Sequence, residues 1–362
     1  MRLLQQQRVR APGLTVGEWA AGEAIQLASL AGRVVLIDFF SFADPEGVHG
    51  LRRLRQLAEH YRESHLTLVG VHVPAYSFER GAASAREEIW RLGIPYPVAL
   101  DQDFELYRAY GARDLPARYL VDPAGFLRGC QLGRGGLNVV EQAIRRLLEE
   151  DEPRRALPDP LPLSPDFPRT GSLQWRSTPE IRFGSRGSGF ADPRAASTAP
   201  PAAEPERPPG SVGDLRDFAP WSEMRAEGKP HLEGLWRSEE GYVAAVGSGC
   251  GLAIVYEGTR VYAVLSSESS AAEPADEALA EPEDEEIEIE LTLDGEAPTG
   301  ALAGADIETE DDRAHVRVGR GRAYELVSDA EFGMHNLELR ATEPGLAVHL
   351  LSFGTTEVGA DL

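Results

Sequence analysis

Val34-Val35-Leu36-Ile37-Asp38-Phe39-Phe40-Ser41-Phe42-Ala43 runs straight into Asp44-Pro45-Glu46-Gly47. The first ten residues read as a buried strand ending in a loop, because the run is apolar and interrupted only by Asp38. From Pro45 to about Ser64 the period changes, and Val48, Leu51, Leu54 and Leu57 recur at helical spacing. Asp44-Pro45 is a strong helix start. A carboxylate at the cap accepts from the free N–H groups of the first turn, and proline is pre-set for the first helical position.

Outward from this stretch, strand and helix signals alternate between about Gly13 and Glu150, which implies an α/β domain with a central mixed sheet and flanking helices. Leu66 to Val73 is a β-branched strand, and Ala82 to Leu92 a helix that Gly93 stops. Pro97 to Asp101 is a short strand, and Asp103 is expected to cap a helix through Tyr110. Ala117–Asp122 and Phe126–Gln131 flank Pro123-Ala124-Gly125 as a hairpin, and Leu137 to Glu149 is an amphipathic helix. From residue 151 to 213 Pro, Ser, Gly, Ala and Arg dominate, as in a linker. Ser197 to Gly210 is expected to be disordered, with ordered islands at Leu173-Gln174-Trp175 and Thr178-Pro179-Glu180-Ile181. Residues 214–362 alternate apolar and polar with regular turns, which predicts an all-β, jelly-roll-like sandwich. Ile287, Ile289, Leu291 and Leu293 show the period most clearly. Ten Asp or Glu and no basic residue fall between Ala271 and Glu290, and the first part of that run reads as a solvated insert.

The 362 residues carry a formal charge of −23, which argues against nucleic acid and anionic membranes as partners. No apolar run approaches the roughly 20 residues of a membrane span, and residues 1 to 8 lack the pattern of a secretory signal, so a cytoplasmic location is expected. The cysteines are Cys130 and Cys250 alone, and neither a metal cluster nor a Cys-x-x-Cys can be drawn from them. No cofactor motif occurs.

Several stretches together resemble the TlpA/DipZ-like thiol–disulfide oxidoreductases of the thioredoxin fold. They are Gly32 to Ser41, Val69-Gly70-Val71-His72-Val73-Pro74, Leu92 to Asp101 and Leu115-Pro116-Ala117-Arg118-Tyr119-Leu120-Val121-Asp122. The resemblance covers residues 11 to 150. More weakly, Ser177 to Glu180 and the β region ending in Leu351-Ser352-Phe353-Gly354 look like the carbohydrate-module-like domain appended in the DipZ subgroup. The resemblance implies a thioredoxin fold with a Cys-x-x-Cys across the helix entrance, where the helix dipole stabilises a thiolate. Here those sulfur positions hold Asp44 and Gly47, so dithiol chemistry has no reagent at this point.

By the same resemblance Asp38 matches a buried acid that assists proton transfer to the second sulfur, and Leu115-Pro116 a cis-proline step. With Phe40, Ser41 and Phe42, that step is expected to leave a shallow groove for an extended protein or peptide partner. Asp44 and Glu46 would form an acid/base or metal pair only with a further ligand, and His49, the nearby candidate, reads as a partly exposed helix residue. Trp236, Tyr242, Tyr256, Tyr262 and Tyr324 supply either sandwich core or a sugar-stacking platform for a glycan. The expected function is a non-catalytic binding or scaffold protein. A redox protein working by a non-dithiol route and glycan binding by the sandwich are the alternatives.

Overall fold

The computed structural model describes residues 2–3, 9–133, 135–154, 156–162, 175–185, 212–221, 225–271, 286–328 and 330–355. Ser197–Gly210, Leu173-Gln174 and the acidic stretch 272–285 lie outside the described residues. The chain divides into one unit of residues 1–173 with 357–362, and a second of residues 174–356.

In the first unit β1 (Arg2–Leu3), β2 (Glu18–Ala21), β3 (Val34–Phe40), β4 (Leu66–His72), β5 (Val98–Leu100), β6 (Ala117–Val121) and β7 (Leu127–Leu132) form one sheet in the order β1-β7-β6-β3-β4-β5-β2. β3, β4 and β5 run parallel, whereas β6 and β7 are antiparallel additions beside β3. The helices are α1 (Pro45–His60), α2 (Ala82–Arg91), α3 (Glu105–Ala109) and α4 (Leu137–Asp151). Every residue of β3 is buried, as its unbroken apolar run predicts. Val35, Ile37 and Phe39 join one apolar cluster with Val69, Val71, Tyr110 and Tyr119, while the intervening residues turn to the opposite face. On α1, Leu51, Leu54 and Leu57 are buried, which confirms the helical stripe.

Two local expectations fail for identifiable reasons. α1 stops at His60 rather than Ser64, since Tyr61 and Ser64 close short turns onto Glu59, Leu57 and Tyr61. α3 is capped not by Asp103 but by Asp101, whose carboxylate accepts from the N–H groups of Leu106 (3.1 Å) and Tyr107 (2.8 Å). Asp101 closes β5 and is buried, so its oxygens reach the free end of the next helix from below.

The second unit contains β8 (Ile181–Arg182), β9 (Asp214–Phe218), β10 (His231–Ser238), β11 (Val243–Ala245), β12 (Gly251–Gly258), β13 (Arg260–Ser267), β14 (Ile287–Leu293), β15 (Glu308–Glu310), β16 (Arg313–Val318), β17 (Arg322–Val327), β18 (Gly333–Ala341) and β19 (Leu346–Gly354), with a short α5 (Glu268–Ala271). All these strand pairs are antiparallel. β10 changes partners along its length: residues 231–233 pair with β12 and residues 236–238 with β11. The change falls at Gly234, whose φ of +84° and 3.0 Å approach to Cys250 Sγ at the Cβ position both require glycine. Ladders on either side of this corner share one core, from Ile254, Ile289 and Leu339 to Val261, Tyr324 and Leu351. The segment 178–181 docks on this unit: Thr178 and Glu257 exchange two hydrogen bonds of 2.8 Å, and Ile181 pairs with Leu351.

Candidate functional site

β3 and β6 are antiparallel with Phe39 opposite Ala117, so the loop after Phe40 and the step before Ala117 leave the same end of the sheet. That step, Leu115–Pro116, is cis. At the same end Asp44 is the N-cap of α1 with extended backbone. Its Oδ2 accepts from the Gly47 N–H at 3.0 Å, and Pro45 occupies the first turn. The carboxylate therefore does what the cap position demands, a contribution of about 1 kcal/mol over an inert residue. A Cβ on Gly47 would lie 2.9 Å from that same oxygen. Asp44 and Gly47 thus fit each other as a pair.

The loop between β3 and α1 is fastened by a carboxylate that the sequence did not single out. Glu79, fully buried, accepts through Oε1 from Ser41 Oγ (2.7 Å) and the Ala43 N–H (3.2 Å), with His72 Nε2 at 3.3 Å. Through Oε2 it accepts from the N–H groups of Ala75 (2.6 Å) and Tyr76 (2.9 Å). Phe42 stacks on the His72 ring at 4.9 Å. Ser41 is held from both sides, since its hydroxyl also accepts from the Ala43 N–H at 3.1 Å. The only advance signal for Glu79 was its place in the segment between Val73 and Pro97.

Asp38 is paired with Arg118. It is 2% exposed, and Arg118 Nε, from the facing position on β6, lies 3.0 Å from its Oδ1. The contact is ionic and off-axis: neither Asp38 oxygen takes an aligned hydrogen bond among the described residues. Burial pushes the Asp38 carboxyl up to about 6, and the Arg118 charge holds it from rising further. Room for the guanidinium comes from Gly50 on α1, where a Cβ would meet Arg118 Nη2 at 2.8 Å. The Tyr96 hydroxyl is buried nearby enough to feel both charges, and burial pushes its pKa well up.

The raised carboxyl has a thermodynamic consequence with a definite sign. Between pH 4 and 6, roughly, the folded chain keeps a proton that the unfolded chain has released, so this group's contribution to stability falls as pH rises and is level above about 6. A shift of about two units corresponds to roughly 3 kcal/mol. Urea denaturation of the chain and of Asp38→Asn between pH 4.5 and 7.5 should show this slope in the former and its loss in the latter. Identical profiles would remove the assignment.

The groove expectation is corrected by burial. Phe40, Ser41, Phe42 and Pro116 are buried, so their side chains complete the core at the sheet end instead of lining an open surface. Leu115 is half-buried, and its N–H donates to Asp114 Oδ1 at 3.0 Å. Exposed apolar surface at this end comes instead from Leu132, 42% exposed and paired with Ala117, and from half-buried Tyr76. His49 is buried, contrary to its expected exposure, because it sits on the inward side of α1. Cys130 is half-buried in β7 opposite Tyr119, and Cys250 is buried, its thiol donating to the Leu235 carbonyl at 3.2 Å. Trp236, Tyr256 and Tyr324 belong to the sandwich core, Tyr262 is buried with its hydroxyl donating to Glu325 at 2.7 Å, and of the five aromatics only Tyr242 is half-exposed.

Residues 8–129 match the AhpC/TSA family, and residues 211–354 match the thioredoxin like C-terminal domain. The chain is 36% identical over 161 residues to Protein DipZ of Mycobacterium tuberculosis, covering 44% of this chain and 23% of DipZ. It is 26% identical over 134 residues to thiol-disulfide oxidoreductase YkuV of Bacillus subtilis, covering 37% of this chain and 90% of that protein. To thiol-disulfide oxidoreductase ResA of Halalkalibacterium halodurans it is 25% identical over 132 residues, covering 36% of this chain and 70% of ResA. The match to DipZ thus spans under a quarter of that protein's length. Among the described residues no helix is long and apolar enough to cross a membrane. The chain is thus similar to an AhpC/TSA family domain over residues 8–129 and to a thioredoxin like C-terminal domain over residues 211–354.

Proposed function

We propose that this chain is a non-catalytic binding or scaffold protein, a thioredoxin-fold module without dithiol chemistry joined to a β-sandwich. The observation that carries the reading is Asp44 at the cap of α1, an oxygen acid bonded to the Gly47 N–H where the family places its sulfurs. Asp38 supports it. An acid held beside Arg118 in the core is committed to an ion pair instead of waiting for a thiol proton. The partner is a protein or peptide, met at the end of the sheet where Leu115, Leu132 and Tyr76 expose apolar surface. Two free cysteines fit a reducing, cytoplasmic compartment.

The relatives named for thiol–disulfide oxidoreductase activity favour a second reading, redox work by a route that avoids Cys-x-x-Cys. Glycan binding loses its best platform, because four of the five candidate aromatics are buried. Insulin reduction with dithiothreitol separates the two readings. The purified chain is expected to leave the uncatalysed rate unchanged. Acceleration that vanishes in Cys130→Ser would replace the binding reading by the redox one.

A further inference from the structure

Past α4 the chain turns back as Ala156-Leu157-Pro158-Asp159-Pro160-Leu161-Pro162, with neither helix nor strand, and is held by residues of α1 and α4 and by Tyr61. The centre of the attachment is Glu141 on α4, 3% exposed. Its Oε2 lies 3.1 Å from Nη2 of Arg53, itself 3% exposed, and its Oε1 accepts from Tyr61 Oη at 2.9 Å. Tyr61 Oη in turn accepts from Arg145 Nη1 at 2.9 Å. The returning segment completes this network through its backbone alone. The Leu161 N–H donates to Glu141 Oε1 at 2.7 Å, and Arg53 Nη2 contacts the Leu161 carbonyl at 3.4 Å. Arg145 donates to the Pro158 carbonyl, and His60 Nε2 to the Asp159 carbonyl at 2.7 Å.

Donors to the carbonyls of Pro158, Asp159 and Leu161, with a single acceptor for one N–H, match the needs of a proline-rich extended strand. Such a strand offers carbonyls at every residue, few N–H groups, and little conformational entropy to lose. We propose that the α1–α4 face is a binding site for proline-rich extended polypeptide, filled in cis by residues 156–162. The hydrogen bonds are to main-chain atoms and the half-buried side chains of Leu157, Pro158 and Leu161 are apolar, so the site accepts a proline-rich apolar segment from another protein once the strap leaves. Only residues 152–155 separate the strap from Asp151, the last residue of α4. So short a tether gives an effective concentration in the millimolar range, and a free peptide does not compete below it. The site is thereby self-blocked in the resting chain. It is separate from the cap of α1 and does not depend on the loss of redox chemistry.

The test uses a synthetic peptide of residues 156–162 and the full chain carrying Leu157→Asp with Leu161→Pro, which removes the donor to Glu141. Calorimetric titration should give at least tenfold tighter apparent binding to this variant than to the unaltered chain. Adding Glu141→Gln should weaken it at least tenfold again. A variant with unchanged circular dichroism that binds no peptide up to about 1 mM, or binds it regardless of Glu141, overturns the proposal. Hydrogen exchange at the Leu161 amide of the unaltered chain supplies a check independent of variants. Exchange by local release, insensitive to denaturant, is the expected result; exchange only with global unfolding makes the strap a fixed part of the core and overturns the proposal.

Discussion

Asp44→Cys together with Gly47→Cys is expected to place a reactive thiol at the entrance of α1. A thiol at the capping position meets the N–H groups that now bind the Asp44 carboxylate, and such a site lowers a cysteine pKa from about 8.5 to near 7. At pH 7 that raises the thiolate fraction from a few per cent to about half, so iodoacetamide should react more than about tenfold faster than with an unperturbed thiol. The pair should also form a disulfide and accelerate insulin reduction. Gly47→Cys alone behaves differently. Its Cβ would stand 2.9 Å from Asp44 Oδ2, so the cap must open, at a cost of about 1 kcal/mol. Both the single and the double variant lose the Asp44 cap, so the two substitutions are expected to cost less together than the sum of their separate effects. Alkylation of the double variant at the rate set by Cys130 and Cys250 would show that the entrance no longer has its family's electrostatics.

Glu79→Ala should be the most damaging single substitution near this site, costing about 3–5 kcal/mol of unfolding free energy. The side chain is fully buried and serves donors from both sides of the gap between β4 and the loop before α1. Truncation leaves Ser41 Oγ and the N–H groups of Ala75 and Tyr76 without that acceptor in a place where water does not replace it. Glu79→Gln keeps the shape but turns one acceptor into a donor, so its loss should be smaller. Urea midpoints for the two variants measure the difference, and a change under 1 kcal/mol in Glu79→Ala would mean that the donors find other partners.

Both experiments act on a scaffold that holds buried charges in its core. Arg118 reaches Asp38 only because position 50 is glycine, and Gly47 tolerates a carboxylate cap only because it has no Cβ. Two glycines within the first turns of a helix are unfavourable by propensity. Here each makes room for a charged group at close quarters.

Much of this was legible in the order of residues. The apolar run of β3, the period of three on α1 and the alternation of β14 are local patterns, and a local pattern needs only the geometry of its own element. The missing sulfurs are a matter of covalent identity, and the Asp44–Gly47 cap spans a single helical turn. Tertiary structure decided which charge meets which. Asp38 and Arg118 are register partners on different strands, Glu79 crosses to the loop at Ser41, and Arg53 and Glu141 join two helices that the sequence reads separately. Period also names a face without saying what covers it, which is why Phe40 and Phe42 proved to be core and Tyr256 proved interior. A buried charge must find its partner across the fold, and that distance is not written in either residue's neighbourhood.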